Sequence, residues 1–124
     1  MCGICGYFNF DGTPASADVV AQMNATLHHR GPDDGGTFVD KSTALGHRRL
    51  SIVDLARGRQ PMHLSGTPLT IVYNGEVYNH LELRKELGFA PERFHTTCDT
   101  ETILVAYERL QERTLDHLRG MFAF

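Results

Sequence analysis

The sequence lacks a long hydrophobic run, an excess of basic residues and enough cysteines for a disulfide framework. No apolar stretch approaches the roughly 20 residues that a membrane-spanning helix needs, and no basic segment precedes a hydrophobic one near the start. We therefore expect a cytoplasmic protein with no membrane partner. The formal net charge is −3, with both signs scattered along the chain, which argues against nucleic acid as a partner.

The three cysteines (Cys2, Cys5 and Cys98) leave at least one thiol free, as expected in a reducing compartment. Cys2 and Cys5 form a C-x-x-C pair, which could indicate zinc or redox chemistry. A structural zinc site usually needs a second ligand pair, and a redox motif usually follows a strand in a thioredoxin-like βαβ unit. Neither context is present, so Cys5 is interpreted as a small buried residue. The spacing of the seven histidines matches no zinc motif, and we predict no metal site.

The first half of the chain alternates strand-like and helix-like patterns. Apolar residues predict a strand over residues 3–10 and an amphipathic helix over residues 16–28, with Ser16 as its N-cap. Glycine, proline and aspartate predict a loop over residues 30–36, followed by strands at residues 37–40 and 44–53.

In the second half, Asn74-Gly75 stands between two strand-like segments and predicts a tight hairpin turn. A short helix is expected to end near Gly88, and Asp99 is expected to cap a longer helix. Strands and helices in blocks, without internal repeats, favour an α+β fold with antiparallel pairing. Residues 118–124 form an apolar, strand-like run with no cap or polar tail, so we expect a domain truncated at its C-terminus.

The most informative residue for chemistry is Cys2, because removal of Met1 would give one residue both a thiol and a free α-amine. An α-amine has an unperturbed pKa of about 7.7–8.0, so its neutral fraction can accept the thiol proton directly or through a water. Such a nucleophile needs no separate histidine base.

Other polar residues could complete such a site. The Asn74 amide and the Gly75 N–H could form an oxyanion hole, although on local sequence alone a plain turn is the better explanation of the pair; the two interpretations are compatible. Side chains alternate along a strand, so only one of Arg48 and Arg49 can face a pocket, where arginine could clamp a carboxylate. Glu76 and Asp99 are ordinary residues singly, but together they could hold an ammonium group.

Six segments together resemble the class II glutamine amidotransferase domain, most closely that of glutamine-dependent asparagine synthetases. They occur in the same order as in that family and extend over the whole chain: Cys2-Gly3-Ile4, His29-Arg30-Gly31-Pro32-Asp33, Gly46 to Asp54, Gln60-Pro61-Met62, Tyr73 to Asn79, and Gly120 to Phe124. The resemblance implies an N-terminal-nucleophile αββα sandwich of antiparallel sheets, of which residues 1–124 would form a partial domain.

The resemblance also implies roles for individual residues. Cys2 would be the nucleophile, with Asn74 and Gly75 as the oxyanion hole. Arg49 would bind the α-carboxylate of glutamine, and Glu76 and Asp99 its α-amine. The remaining pocket residues implied in this way are Leu50, Ser51, Ile52 and Val53.

The family's second domain, a synthetase that uses ATP and Mg²⁺ to make asparagine from aspartate, is absent from these residues; its Ser-Gly-Gly-x-Asp-Ser signature does not occur. No cofactor is expected in the present domain. Glutamine and the C-terminal synthetase domain are the expected partners, and a homodimer remains open. Three alternatives also stay open: another acceptor for the ammonia, a non-catalytic domain of the same fold, and a redox or zinc module.

Overall fold

A computed structural model describes residues 2–50 and 58–124. In the first segment, strand β1 (Gly3–Phe8) is followed by helix α1 (Ala17–Thr26), β2 (Asp34–Asp40) and β3 (Thr43–Arg49). The three strands form an antiparallel sheet in the order β1-β3-β2. Strand β3 is therefore central, and each of its residues from Thr43 to Arg48 has a partner on both sides.

Helix α1 begins as the sequence predicts. Ser16 is its N-cap, and the Ser16 Oγ accepts a hydrogen bond from the Val19 N–H at 3.3 Å. The N–H of Ser16 also donates to the Tyr7 hydroxyl at 2.6 Å, which ties the helix start to β1. The helix buries Val20 and Asn24 against the sheet. The start of α1 is thus determined by Ser16 and the residues next to it in the sequence, together with the contact to Tyr7.

The sheet has two distinct faces. The face covered by α1, here called the helix face, carries Gly3, Gly46 and Arg48: a Cβ at Gly3 would contact Leu27 of α1, and the Arg48 Nε donates to the Asn24 carbonyl at 3.2 Å. Because side chains alternate along a strand, the opposite face, here called the inner face, carries Ile4, His47 and Arg49.

The second described segment contains four short strands and two α-helices. They are β4 (Met62–His63), β5 (Thr70–Ile71), β6 (Asn74–Val77), α2 (His80–Glu86), α3 (Asp99–Leu110) and β7 (Gly120–Ala123), with 3₁₀ helices at Pro91–Arg93 and Gln111–His117. Strand β4 pairs with β5 and β6 with β7, both antiparallel. The molecule is therefore a mixed α/β structure whose described strand pairs are all antiparallel, as the sequence predicts at this coarser level.

The main hydrophobic core lies in this second segment. Helix α3 contributes four consecutive buried residues, Ile103 to Ala106, which pack with Leu83 of α2 and with Val77 of β6. Leu83, Val77 and Ile103 are each at most 1% exposed. Helix α3 thus forms the support behind β6. No helix in the two described ranges is long and apolar enough to cross a membrane.

The predicted hairpin at Asn74-Gly75 is wrong. These residues begin β6, where Asn74 lies opposite Ala123 and Gly75 opposite Phe122. The preceding strand β5 instead pairs with β4. A Cβ at Gly75 would lie against the Met121 carbonyl and the Phe122 Cα, so this glycine allows close approach of a strand rather than a turn. The local signal failed because the competing partner, β7, is distant in sequence.

Several predicted boundaries also differ. Strand β2 begins at Asp34, inside the predicted loop, because Asp34, Gly35 and Gly36 pair with β3. Strand β3 ends at Arg49, and residues 51–53 of the predicted strand lie outside the described residues. Asp99 is the first residue of α3, whereas Cys98 occupies the N-cap position without a side-chain capping bond. The Asp99 carboxylate is instead used for contacts to other elements.

Gly31 gives a testable packing constraint between the loop after α1 and β3. A Cβ at this position would meet the backbone carbon, nitrogen and oxygen of Arg48 and Arg49, which cannot move without disturbing the sheet. We expect Gly31→Ala to lower the free energy of unfolding by about 1–3 kcal/mol in urea titrations. Gly35→Ala is the matched control, since its Cβ would meet only the flexible Arg48 side chain; an equal loss in both variants would contradict the packing argument.

Candidate active site

Cys2 lies at the start of β1, next to the clamp residue predicted from the sequence. Gly3 pairs with Arg48, so the same register places Cys2 opposite Arg49, and opposed residues share a face of the sheet. The Cys2 thiol is half-buried and points to the Leu50 carbonyl, with Sγ and O 4.0 Å apart. The structure therefore places Cys2 and Arg49 on the inner face, with the Leu50 carbonyl next to the Cys2 thiol.

The C-x-x-C interpretation conflicts with the geometry of β1. Residues 2 and 5 are an odd number of positions apart on an extended strand, so their side chains point to opposite faces. Cys5 lies opposite Gly46 on the helix face, where a Cβ at Gly46 would contact the Cys5 Sγ. Cys5 is half-buried, and burial raises the pKa of its thiol. The two sulfurs thus cannot bind one ion or join in a disulfide without refolding the strand.

The two adjacent arginines face opposite sides, as alternation predicts. Arg48 lies on the helix face, where its guanidinium bonds Asn24 and packs along Gly35. Arg49 lies on the inner face and is only 8% exposed. Buried arginine is rare unless it is paired, and its planar fork suits a carboxylate. Of the two, Arg49 has the position required of a substrate clamp.

Asn74, Gly75 and Glu76 follow one another in β6, at the edge of the main core. The alternation of the strand places Asn74 and Glu76 on one face, while Val77 points from the other face into the core. Asn74 is half-buried, and Gly75 and Glu76 are exposed. The Asn74 side chain is therefore accessible from the face that the core does not occupy.

Asp99 accepts three hydrogen bonds: one from Tyr73, one from Val77 of β6 and one from the next residue of its own helix. Its Oδ2 accepts from the Tyr73 hydroxyl at 2.6 Å and from the Val77 N–H at 2.9 Å, and its Oδ1 accepts from the Thr100 N–H at 2.9 Å. Both Asp99 and Glu76 act on the pKa of His80, which burial lowers and the two carboxylates raise. Arg84 acts on the same ring in the opposite direction, so Asp99 and Glu76 share a neighbourhood that also contains one cation.

Arg84 of α2 fixes the chain that leads into Asp99. Its guanidinium donates to the Thr96 carbonyl at 2.9 Å, to the Cys98 carbonyl at 2.8 Å and to the Thr102 Oγ1 at 2.7 Å. It also stacks on the Phe94 ring, 3.9 Å from the ring centre. Charge-assisted bonds of this kind hold the start of α3 in one orientation.

Tyr73 connects the two groups of site residues. Its N–H donates to the Gln60 Oε1 at 2.5 Å, and a Cβ at Gly36 on β2 would contact Pro61, so this loop packs on the three-stranded sheet. The imidazole of His47 is 1% exposed. Burial lowers the pKa of His47, and the Tyr73 carbonyl acts against this as a hydrogen-bond partner. The start of β6 is thus attached to the inner face that carries Arg49.

The predicted site residues fall into two groups joined by this contact. Cys2, Arg49 and Leu50 form the first group, and Asn74, Gly75, Glu76 and Asp99 form the second. Ser51, Ile52 and Val53 lie outside the described residues. Two open cavities, of about 280 and 300 Å³, lie elsewhere along α3, and neither is lined by a predicted site residue.

The family model of the glutamine amidotransferase domain matches residues 1–124. The chain belongs to this family. The amidotransferase domain is 43% identical over 127 residues to the protein named asparagine synthetase [glutamine-hydrolyzing] 1 of Bacillus subtilis, and 38% identical over 125 residues to asparagine synthetase B [glutamine-hydrolyzing] of Escherichia coli. Both matches include 100% of this chain, but only 20% and 22% of the relatives.

A third relative, from Methanocaldococcus jannaschii, is named putative asparagine synthetase [glutamine-hydrolyzing] 2; it is 38% identical over 143 residues, and the match includes 27% of its length. The amidotransferase domain therefore spans a fifth to about a quarter of these curated relatives. The family resemblance identified from the sequence motifs is confirmed.

Four residues that hold the site together were not predicted from the sequence: Tyr73, Gln60, His47 and Arg84. Tyr73 and Gln60 lie inside quoted motifs, but their partners are distant in sequence. Arg84 reads as an ordinary charged residue on a short helix. The sequence signal that could have singled out Tyr73 is its position: a tyrosine at the end of a strand-like segment, directly before Asn74, the predicted oxyanion donor.

Proposed function

We propose that this domain hydrolyses glutamine to glutamate and ammonia, with Cys2 as the nucleophile. The observation that carries the proposal is the position of Cys2 at the start of β1, on the same face as the buried Arg49. A nucleophile and a carboxylate clamp are then on one surface. Membership of the glutamine amidotransferase domain family supports the same reaction.

The α-amine of Cys2 acts as the base once Met1 has been removed. It accepts the thiol proton, and the sulfur attacks the side-chain amide carbon of glutamine. The Asn74 amide and the Gly75 N–H donate hydrogen bonds to the oxygen that becomes negatively charged. Collapse of the tetrahedral intermediate passes the proton from the α-ammonium group to the departing nitrogen, which releases ammonia and leaves a γ-glutamyl thioester. Water then hydrolyses the thioester with the amine, neutral again, as base.

The amino-acid end of glutamine is held by charge. Arg49 binds the α-carboxylate through its planar pair of N–H donors, and Glu76 and Asp99 bind the α-ammonium group. The chain from Leu50 through Ser51, Ile52 and Val53 completes the pocket with backbone groups. This arrangement is supported by the burial of Arg49 and by the shared neighbourhood of the two carboxylates.

In the whole protein, the ammonia serves ATP- and Mg²⁺-dependent synthesis of asparagine from aspartate by a C-terminal synthetase domain. The names and greater lengths of the relatives support this assignment. The present domain forms part of an αββα sandwich of antiparallel sheets, and the reduced thiol suits the cytoplasm. A different acceptor for the ammonia is the alternative, and a synthetase assay with aspartate decides between them.

An electrophilic glutamine analogue tests the nucleophile directly. We expect 6-diazo-5-oxo-L-norleucine to modify the processed full-length protein once, on the peptide that begins with Cys2, as measured by mass spectrometry. Cys2→Ala should abolish the modification, while Cys5→Ala should leave it unchanged because Cys5 lies on the helix face. Modification that survives Cys2→Ala, or an intact Met1 on the active protein, would overturn the assignment.

A further inference from the structure

The carboxylate of Asp99 has one acceptor position left after its contacts within the described chain. A carboxylate offers about four lone-pair positions on its two oxygens. Tyr73 and Val77 occupy two on Oδ2, and the Thr100 N–H occupies one on Oδ1. A further donor must therefore approach Oδ1, provided that Oδ2 stays in place.

The Tyr73 hydroxyl is the side-chain group that keeps Oδ2 in place. Its bond to Asp99 is the shortest of the three, at 2.6 Å, and Tyr73 is only 3% exposed, so water does not readily replace it. Burial, together with the neighbouring Asp99 carboxylate, raises the pKa of the Tyr73 hydroxyl, so it remains a protonated donor at neutral pH. The Tyr73 hydroxyl is therefore available to hold Oδ2 at neutral pH.

Tyr73 is itself fixed at its backbone. The Gln60 side chain accepts its N–H, and the next residue is the proposed oxyanion donor Asn74. Tyr73 therefore links Asp99, the proposed ligand of the α-ammonium group, to Asn74, the first residue of β6 and a proposed oxyanion donor.

From this arrangement, which rests on the proposed function, we infer that Tyr73 is a positioning residue for substrate recognition. Its hydroxyl orients Asp99 so that Oδ1 receives a hydrogen bond from the α-ammonium group of glutamine. Tyr73 touches no substrate in this arrangement. It acts through Asp99, and it therefore contributes to the preference for substrates that carry an α-amine.

The test measures binding in the full-length, processed protein carrying Cys2→Ala, which cannot turn the ligand over. L-Glutamine is compared by calorimetry with 4-carbamoylbutanoate, which is glutamine without its α-amine. Loss of a buried hydrogen bond to a charged group should raise the Kd for glutamine about tenfold in Tyr73→Phe. The Kd for 4-carbamoylbutanoate should not change.

Two further variants make the result specific. Asp99→Asn should also weaken glutamine binding selectively, and adding Tyr73→Phe to it should have little further effect, because both changes remove one interaction. Tyr78→Phe is the matched control, since the Tyr78 side chain is 60% exposed, and it should bind like the parent.

Equal losses for both ligands in Tyr73→Phe, or additive losses in the double variant, would overturn the positioning role. Failure of the proposed function has a different signature: the protein with Cys2 intact would release no ammonia from glutamine, whatever the binding results. Protein that binds no glutamine at all would overturn both. Thermal unfolding of each variant shows whether the fold is retained, and Tyr73→Phe keeps the ring that packs in the core.

Discussion

A protein in which the nitrogen of Cys2 stays inside a peptide bond should hydrolyse glutamine about a hundred to ten thousand times more slowly than the same protein with a free α-amine. The thiol is present in both forms, but only the free amine can take its proton and later activate water. A fusion that ends in a protease site directly before Cys2 gives both forms from one preparation. Ammonia release before and after cleavage is the measurement.

The controls separate the amine from the thiol. Cys2→Ala in the cleaved form should reduce hydrolysis to the background level, because no nucleophile remains. In the active form, kcat/KM should rise with pH as the amine loses its proton, near its unperturbed pKa of about 7.7–8.0. A fusion that is fully active before cleavage would show that another group is the base, and the role of the terminus would have to be abandoned.

Local signals in the sequence predicted the parts of the fold that depend on neighbouring residues. The Ser16 cap, the start of α1 and the end of α2 near Gly88 each depend on a few consecutive residues, and they were predicted within two or three positions. The hairpin failed because β6 pairs with β7, and no local pattern records a partner so far along the chain. The pairing of β4 with β5 was missed for a related reason, since each strand has only two residues.

In the candidate site, too, the sequence predicts what depends on neighbouring residues and misses contacts between distant ones. Alternation along β3 predicted that only one of Arg48 and Arg49 faces a pocket, the family resemblance implied Arg49, and the terminal thiol singled out Cys2 without any structure. The sequence could not show what holds Asp99, because Tyr73 and Val77 bond its carboxylate from more than 20 residues away, and Arg84 of α2 holds the preceding Cys98 carbonyl. Residue types and spacing therefore indicate the reacting groups, whereas the groups that orient them become visible only in three dimensions.

Replacement of Asn74 by alanine should lower kcat for glutamine hydrolysis about a hundred- to a thousandfold, the usual cost of losing one oxyanion donor. The effect should fall on kcat because the donor serves charge that exists only in the transition state. Removal of the side chain leaves the β6 backbone paired with β7, so Gly75 should keep its own N–H in place.

A comparison of Asn74→Ala with Asp99→Asn separates the loss of an oxyanion donor from the loss of a substrate-binding group. In the Cys2→Ala background, Asn74→Ala should bind glutamine with nearly the parent Kd, whereas Asp99→Asn should weaken binding. Asn74 lies on the accessible face of β6, away from the core side chain Val77, so its truncation should also leave the unfolding midpoint nearly unchanged. A large rise in Kd with kcat preserved would mean that Asn74 holds the ground state of the substrate, and the oxyanion hole would then have to be formed by other donors.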